Sequence, residues 1–218
     1  MRKYIVFLEL FIFLAACRSE ATEPFILDQD EFELPESKYS KTTELHKLRY
    51  RSDGLKVTGY MVKPKDRNED FPLLIYARGG NQDYGMMTEE FLSTYLSFWA
   101  NKGYVVLTTQ YRGVDGGEGK EEYGGADIQD VMNLTQVAKE LDGINTDRAF
   151  LLGQSRGGMM TYLAMKEGID VQAAASINGS SDLFATYEER EQGMKKMLNE
   201  LVGPPSEEQA YEDRSATY

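Results

Sequence analysis

Short apolar runs alternate with stretches of helical spacing through most of this chain. Residues 71–77 and 104–111 are largely apolar and are bounded by glycine or polar residues, as expected of strands covered on both faces, and 171–177 is a further strand of small residues. Between them, apolar side chains recur every three or four positions. Phe91, Tyr95, Phe98 and Trp99 mark a helix over 87–101, with Trp99 packing on the sheet. Ile128, Val131, Leu134, Ala138 and Leu141 mark a second, closed by Asp142-Gly143. A third covers 159–166, with Gly168 as its cap and Met159 and Met160 as core filler. Upstream, 45–50 and 55–62 are rich in Tyr, Val and Leu and flank Arg51-Ser52-Asp53-Gly54, a hairpin signal that puts His46 on the first strand. Near the end, Thr186 and Glu189 have capping-box spacing, and Tyr187, Met194, Met197 and Leu201 give one apolar stripe that Pro204-Pro205 stops. Residues 206–218 are polar and acidic. The alternation predicts an α/β class fold, a doubly wound and mostly parallel sheet led by an N-terminal hairpin.

The first residues break this pattern. Met1-Arg2-Lys3 is basic, 4–16 is mostly apolar, and Leu14-Ala15-Ala16-Cys17 ends the run with small residues. The run is too short to span a bilayer and reads as a secretion signal over 1–16. Its ending resembles the bacterial lipoprotein signal, although Glu9 departs from an uninterrupted apolar core. The resemblance implies that Cys17 is lipidated after cleavage and that the protein is exported to a bacterial cell envelope and anchored to a membrane. Residues 18–36 are acidic, contain Pro24 and Pro35 and show no sustained period, so 17–44 is expected to be a tether. The domain is then expected over 45–218.

Composition narrows the chemistry. The 218 residues carry a net charge of -12, which excludes an electrostatic nucleic-acid binder. Cys17 is the only cysteine, so neither an intrachain disulfide nor a cysteine metal cluster can form. Gly119-Lys120 in the glycine-rich loop 113–125 invites a nucleotide reading. A phosphate loop would need glycine where Val114 stands and Ser or Thr where Glu121 stands, so nucleotide is excluded. No cofactor is called for.

The candidate chemistry is concentrated at 148–160. An apolar run, 149–152, is broken by Gly153 and followed directly by a helix, with Ser155 at the break. Gly153-Gln154-Ser155-Arg156-Gly157 fits the Gly-x-Ser-x-Gly nucleophile elbow, whose tight turn needs small residues two before and two after the serine. Ser155 is therefore the candidate nucleophile, and the backbone N–H of Arg156, at a helix N-terminus, a candidate oxyanion donor. Arg78-Gly79-Gly80-Asn81 follows the buried run 71–77. Paired glycines there point to close backbone approach, and the Gly80 N–H is the candidate second donor.

Taken together, the hairpin, 73–80, 104–113, Tyr111-Arg112-Gly113 and Gly153-Gln154-Ser155-Arg156-Gly157-Gly158 resemble the catalytic domain of the prolyl oligopeptidase family of serine peptidases. The resemblance covers 45–218. It implies an α/β-hydrolase fold and hydrolysis of peptide or ester bonds through an acyl-enzyme on Ser155. Three features depart from the family. Arg78 stands where some members carry a tyrosine that helps bind the oxyanion. The β-propeller that screens substrates in many members has no room between Cys17 and Leu45. Triad partners in this fold follow the nucleophile, yet the only histidine is His46. Asp182 ends the last strand region and, with no histidine to orient, is expected to cap the helix behind it. The chain is accordingly expected to be an incomplete catalytic domain, lacking the C-terminal strands with the triad acid and base and inactive alone. A carboxylesterase uses the same elbow, and a non-catalytic envelope lipoprotein that keeps the fold for binding is the alternative of a different class.

The reading of Leu14-Ala15-Ala16-Cys17 is checked by fractionation. Cys17→Ser is expected to move the protein from the membrane to the soluble fraction, and unchanged membrane association would contradict acylation at Cys17.

Overall fold

The computed structural model describes residues 23–33, 35–66 and 69–218. Its centre is a seven-stranded sheet in the order β1-β2-β3-β5-β4-β6-β7. The strands are β1 (Ile26–Phe32), β2 (Thr43–Ser52), β3 (Leu55–Pro64), β4 (Phe71–Ala77), β5 (Val105–Thr109), β6 (Ile144–Gln154) and β7 (Ala173–Ile177). The first three strands are antiparallel, and β3 joins β5 antiparallel. From β5 through β4 and β6 to β7 every pairing is parallel. The expected hairpin is β2–β3, with Asp53 and Gly54 both at positive φ in its turn.

Alternation along the strands sorts side chains to two apolar layers. Leu73, Ile75 and Ala77 of β4 join Val105 and Leu107 of β5 in one layer. That layer is covered by α3 (Ile128–Met132), α4 (Leu134–Lys139) and α5 (Arg156–Lys166). Leu74 and Tyr76 face the other way with Val106, Leu92, Leu96 and Ala100. The cover on that side is a continuous helical stretch of α1 (Glu89–Phe91), a π segment (Leu92–Leu96) and α2 (Ser97–Asn101). Trp99 packs against this second layer.

The connections decide where a site can form. The chain leaves β4 towards β5 on one side, then returns past β4 to β6 and continues to β7 on the other. The carboxyl ends of β4 and β6 are therefore a switch point, where successive loops diverge and leave a crevice. Ala77 pairs with Gly153, which brings the ends of both strands level.

Four local expectations are corrected. The stretch read as an unstructured tether, 17–44, contains β1, and Thr43 and Glu44 already belong to β2. An edge strand with one side in water tolerates the acidic Asp28, Asp30 and Glu31, so its composition imitates a linker. The Glu140 carboxylate holds its start, accepting from Phe25 N at 2.8 Å and Ile26 N at 2.9 Å. The helix expected over 128–141 is two helices that meet at Asn133, whose side chain donates to Ser52 Oγ at 3.1 Å. Thr186 is not a cap but lies inside α6 (Leu183–Glu189), bonded back to the Asp182 carbonyl. The N-cap is Asp182, as expected, which accepts from Ala185 N at 3.1 Å, while α7 (Gln192–Leu201) is a separate helix. The polar, acidic stretch 206–218, for which no element was expected, holds α8 (Glu208–Asp213), with Tyr211 buried.

Candidate active site

Ser155 stands between the last residue of β6 and the first of α5, with φ 56° and ψ -120°. A side-chain-bearing residue in that conformation is strained and persists only where its surroundings dictate it. Its N–H donates to the Ile177 carbonyl at 2.8 Å, and its own carbonyl accepts from Gly158 N at 2.9 Å and Met159 N at 3.2 Å. The neighbouring glycines have no room for a side chain. A Cβ on Gly153 would overlap the Gly157 carbonyl, and one on Gly157 would overlap the Ala77 carbonyl. A Cβ on Gly158 would fall 2.7 Å from Gly179 Cα. The helix start is thus wedged between the ends of β4 and β7, and Ser155 is left exposed.

Opposite it, the loop after β4 folds back on itself. Asn81 and Tyr84 exchange two backbone hydrogen bonds at 3.0 Å, with Gly80, Gln82 and Gly85 all at positive φ. Gly79 lies against the serine, since a Cβ there would be 3.2 Å from Ser155 Cβ. An open cavity of about 430 Å³ is shared by Ser155, Gly80, Tyr76, Tyr84, Met87 and Phe91. Ser155 and Gly80 are thus brought to one crevice. Arg156 occupies the first position of α5, where a helix leaves its N–H groups without intrahelical partners.

Beneath the crevice lies a buried ionic cluster that the sequence did not reveal. Arg78, Arg156, Glu121 and Asp127 are each at most 3% exposed. Glu121 Oε1 accepts from Arg156 Nη1 at 2.8 Å and from Arg78 Nη2 at 3.1 Å, while Oε2 accepts from Gln82 N. Arg156 Nη2 also donates to Asp127, whose carboxylate accepts from Glu122 N at 3.0 Å and Gly124 N at 2.8 Å. Both guanidiniums stack on the Tyr111 ring, at 4.3 Å for Arg156 and 5.1 Å for Arg78. Burial holds the Tyr111 phenol well above its ordinary pKa despite both cations, and its hydroxyl donates to the Arg78 carbonyl at 3.0 Å. Burial also opposes the charge of Arg156, but Asp127, Tyr111 and Glu121 outweigh it and raise its pKa. For Arg78 burial prevails and lowers the value, and the Glu121 carboxylate that opposes it is shared with the like-charged Arg156.

The remaining expected residues fall elsewhere. Arg78, at the position of the family's tyrosine, turns its guanidinium to Gln110 O at 2.7 Å and Gln82 O at 3.0 Å. His46 is buried on β2, bonded to Gln29 and Glu44. Four strand spacings separate β2 from β6, about 19 Å at the usual inter-strand distance, so His46 is not the base for Ser155. Cys17 lies outside the described residues. Glu121, in the glycine-rich loop, and Asp127, just after it, were missed because charged residues there have no period to report them. The available signal was the pair of arginines, Arg78 directly after one apolar strand and Arg156 at the start of the helix after another, each beside a glycine and each in need of a counter-charge.

Comparison with known proteins gives a family match and several similar proteins. A model of the prolyl oligopeptidase family matches residues 90–218, more than half of the chain. The uncharacterized peptidase YtmA of Bacillus subtilis is 32% identical over 165 residues, which cover 75% of this chain and 62% of that protein. Among solved structures, a puromycin-hydrolyzing peptidase of Mycobacterium tuberculosis superposes with a TM-score of 0.70 at 26% identity, over 85% of this chain and 30% of that one. The acylaminoacyl peptidase of Pyrococcus horikoshii gives 0.67 at 26% identity, over 80% and 29% respectively. The chain therefore spans under two thirds of each of these proteins.

The packing at the elbow is tested by two alanines of opposite expected sign. Gly157→Ala is expected to lower the unfolding free energy by about 3 kcal/mol or more, since the methyl must displace the Ala77 backbone. Gly193→Ala, on an exposed helical position with open space around it, is expected to raise it by about 0.5 kcal/mol. Urea unfolding measures both, and a Gly157→Ala protein as stable as its parent would contradict the wedge.

Proposed function

The chain belongs to the prolyl oligopeptidase family, and from that premise we propose that it is the nucleophile-bearing part of a serine peptidase that cleaves peptide bonds through an acyl-enzyme on Ser155. The observation that carries the reading is the backbone of Ser155. A strained, exposed serine at the switch point, fenced by glycines that admit no side chain, has no packing role that alanine or glycine would not fill better. Exposure lets its Oγ approach a carbonyl carbon.

In this reading Ser155 Oγ bonds to the scissile carbonyl carbon as a base takes the hydroxyl proton, and the carbonyl electron pair moves onto oxygen. The backbone N–H groups of Arg156 and Gly80 face that oxyanion. Collapse expels the amine with the proton returned by the base, and water then releases the acid by the same path. A serine hydroxyl is a poor nucleophile without a base within about 3 Å. None of these 218 residues supplies an imidazole near Ser155, so the reading takes its base from outside them. The cavity beside Ser155, with Met87, Phe91 and Tyr76 on its wall, suits an apolar substrate group. The lipoprotein-like start adds the proposal that the enzyme works at the envelope, held to a membrane through Cys17.

The test is turnover in the full-length protein, with an aryl ester and a peptide anilide as substrates. Ser155→Ala is expected to reduce both on the order of 10⁴-fold or more while His46→Ala leaves both unchanged. Turnover that survives Ser155→Ala, or disappears with His46→Ala, would contradict the assignment.

A further inference from the structure

We infer that Glu121 is a positioning residue that sets the spacing of the two oxyanion donors, Gly80 N–H and Arg156 N–H. The inference rests on the serine-peptidase reading and adds to it a residue far from the elbow in sequence.

The geometry runs through peptide planes. Arg78 Nη1 donates to the Gly79 carbonyl at 3.0 Å. That carbonyl shares one planar trans peptide with the Gly80 N–H, so fixing the oxygen fixes the N–H in the opposite direction. Arg156 Nη1 donates to the Gly80 carbonyl at 3.2 Å and so holds the next peptide plane. Two adjacent planes of the donor loop are thus gripped by two guanidiniums, and one of these belongs to the residue whose own N–H is the other donor. Both grips converge on Glu121 Oε1, while Oε2 takes the N–H of Gln82 farther along the same loop. One carboxylate therefore ties the loop after β4 to the start of α5.

Charge makes this tie specific to a carboxylate. The two guanidiniums are balanced by Glu121 and Asp127, all buried. Three donors point at Glu121, and a glutamine could accept with one oxygen only, turning its NH₂ group against the remaining N–H groups. The donor loop would lose its fixed distance from α5. Oxyanion donors act through placement, and errors of about 1 Å cost on the order of 10²-fold.

The experiment compares Glu121→Gln, Glu121→Asp and the charge-balanced pair Arg78→Gln/Glu121→Gln with the parent in the full-length protein, with Ser155→Ala alongside. The double variant keeps the buried charge neutral should Glu121→Gln alone fail to fold. Three quantities are read: kcat and KM on the aryl ester, affinity for an aryl trifluoromethyl ketone, which forms a tetrahedral adduct on the serine, and affinity for the matching carboxylic acid product, which does not. Glu121→Gln and the double variant are each expected to lower kcat and ketone affinity together by about 10²-fold, with KM and product affinity within about threefold. Glu121→Asp is expected to fall between them and the parent. A folded double variant with kcat and ketone affinity within threefold of the parent would overturn the inference, as would a loss confined to KM or to the melting temperature. If Ser155→Ala abolishes turnover and the Glu121 variants do not impair it, the positioning role alone fails. Turnover surviving Ser155→Ala removes the serine reading and the inference with it.

Discussion

Everything near the crevice depends on one close approach, the start of α5 against the end of β4. Gly157 brings its backbone so near the carbonyls of Ala77 and Arg78 that no side chain fits between them. That contact lets an eleven-residue helix begin directly at the end of a buried strand, with Ser155 between them at φ 56°. A conformation this unfavourable does not persist because the serine prefers it. It persists because the neighbours leave no alternative: β7 accepts the Ser155 N–H, α5 bonds to its carbonyl, and the sheet register holds Gly153 level with Ala77.

Below the turn the fold commits two arginines and two acids to its interior. Desolvating four charges is costly, and well-packed apolar residues often give equal or greater stability in such places. What the ions supply is direction. A guanidinium presents several donors in a rigid fork, and here those donors reach loop carbonyls that an apolar core would leave unsatisfied. Tyr111 completes the arrangement by stacking under both cations while keeping its own proton. The motif Tyr111-Arg112-Gly113 then divides in its duties. Arg112 turns away to Asp130 and Asp53, tying the loop after β5 to α3 and to the hairpin turn. Gly113 supplies the positive φ that starts the loop carrying Glu121 back to the crevice.

The sheet and the elbow were legible for the same reason: their constraints are local. Buried parallel strands must be apolar throughout, and a turn without space for Cβ must carry glycine, so 71–77 and Gly153-Gln154-Ser155-Arg156-Gly157 announce themselves. β1 did not, because an edge strand obeys solvent as much as core, and Asp28, Asp30 and Glu31 resemble a linker. The break at Asn133 was hidden because the apolar period of α3 and α4 runs through it unchanged. The two separate helices behind β7 were merged for a like reason, although Asp182 was legible as the cap of the first. Glu121 was the least legible of all. Its partners lie 43 and 35 residues away, and only the folded chain brings Arg78 and Arg156 to one carboxylate.

The central claim is that this one strained serine is the reactive group of the crevice. The most direct measurement is peptide mass mapping of the full-length protein after reaction with a fluorophosphonate. The account predicts a single adduct, on Ser155. An adduct on any other serine, or no adduct on a folded full-length protein, would contradict it.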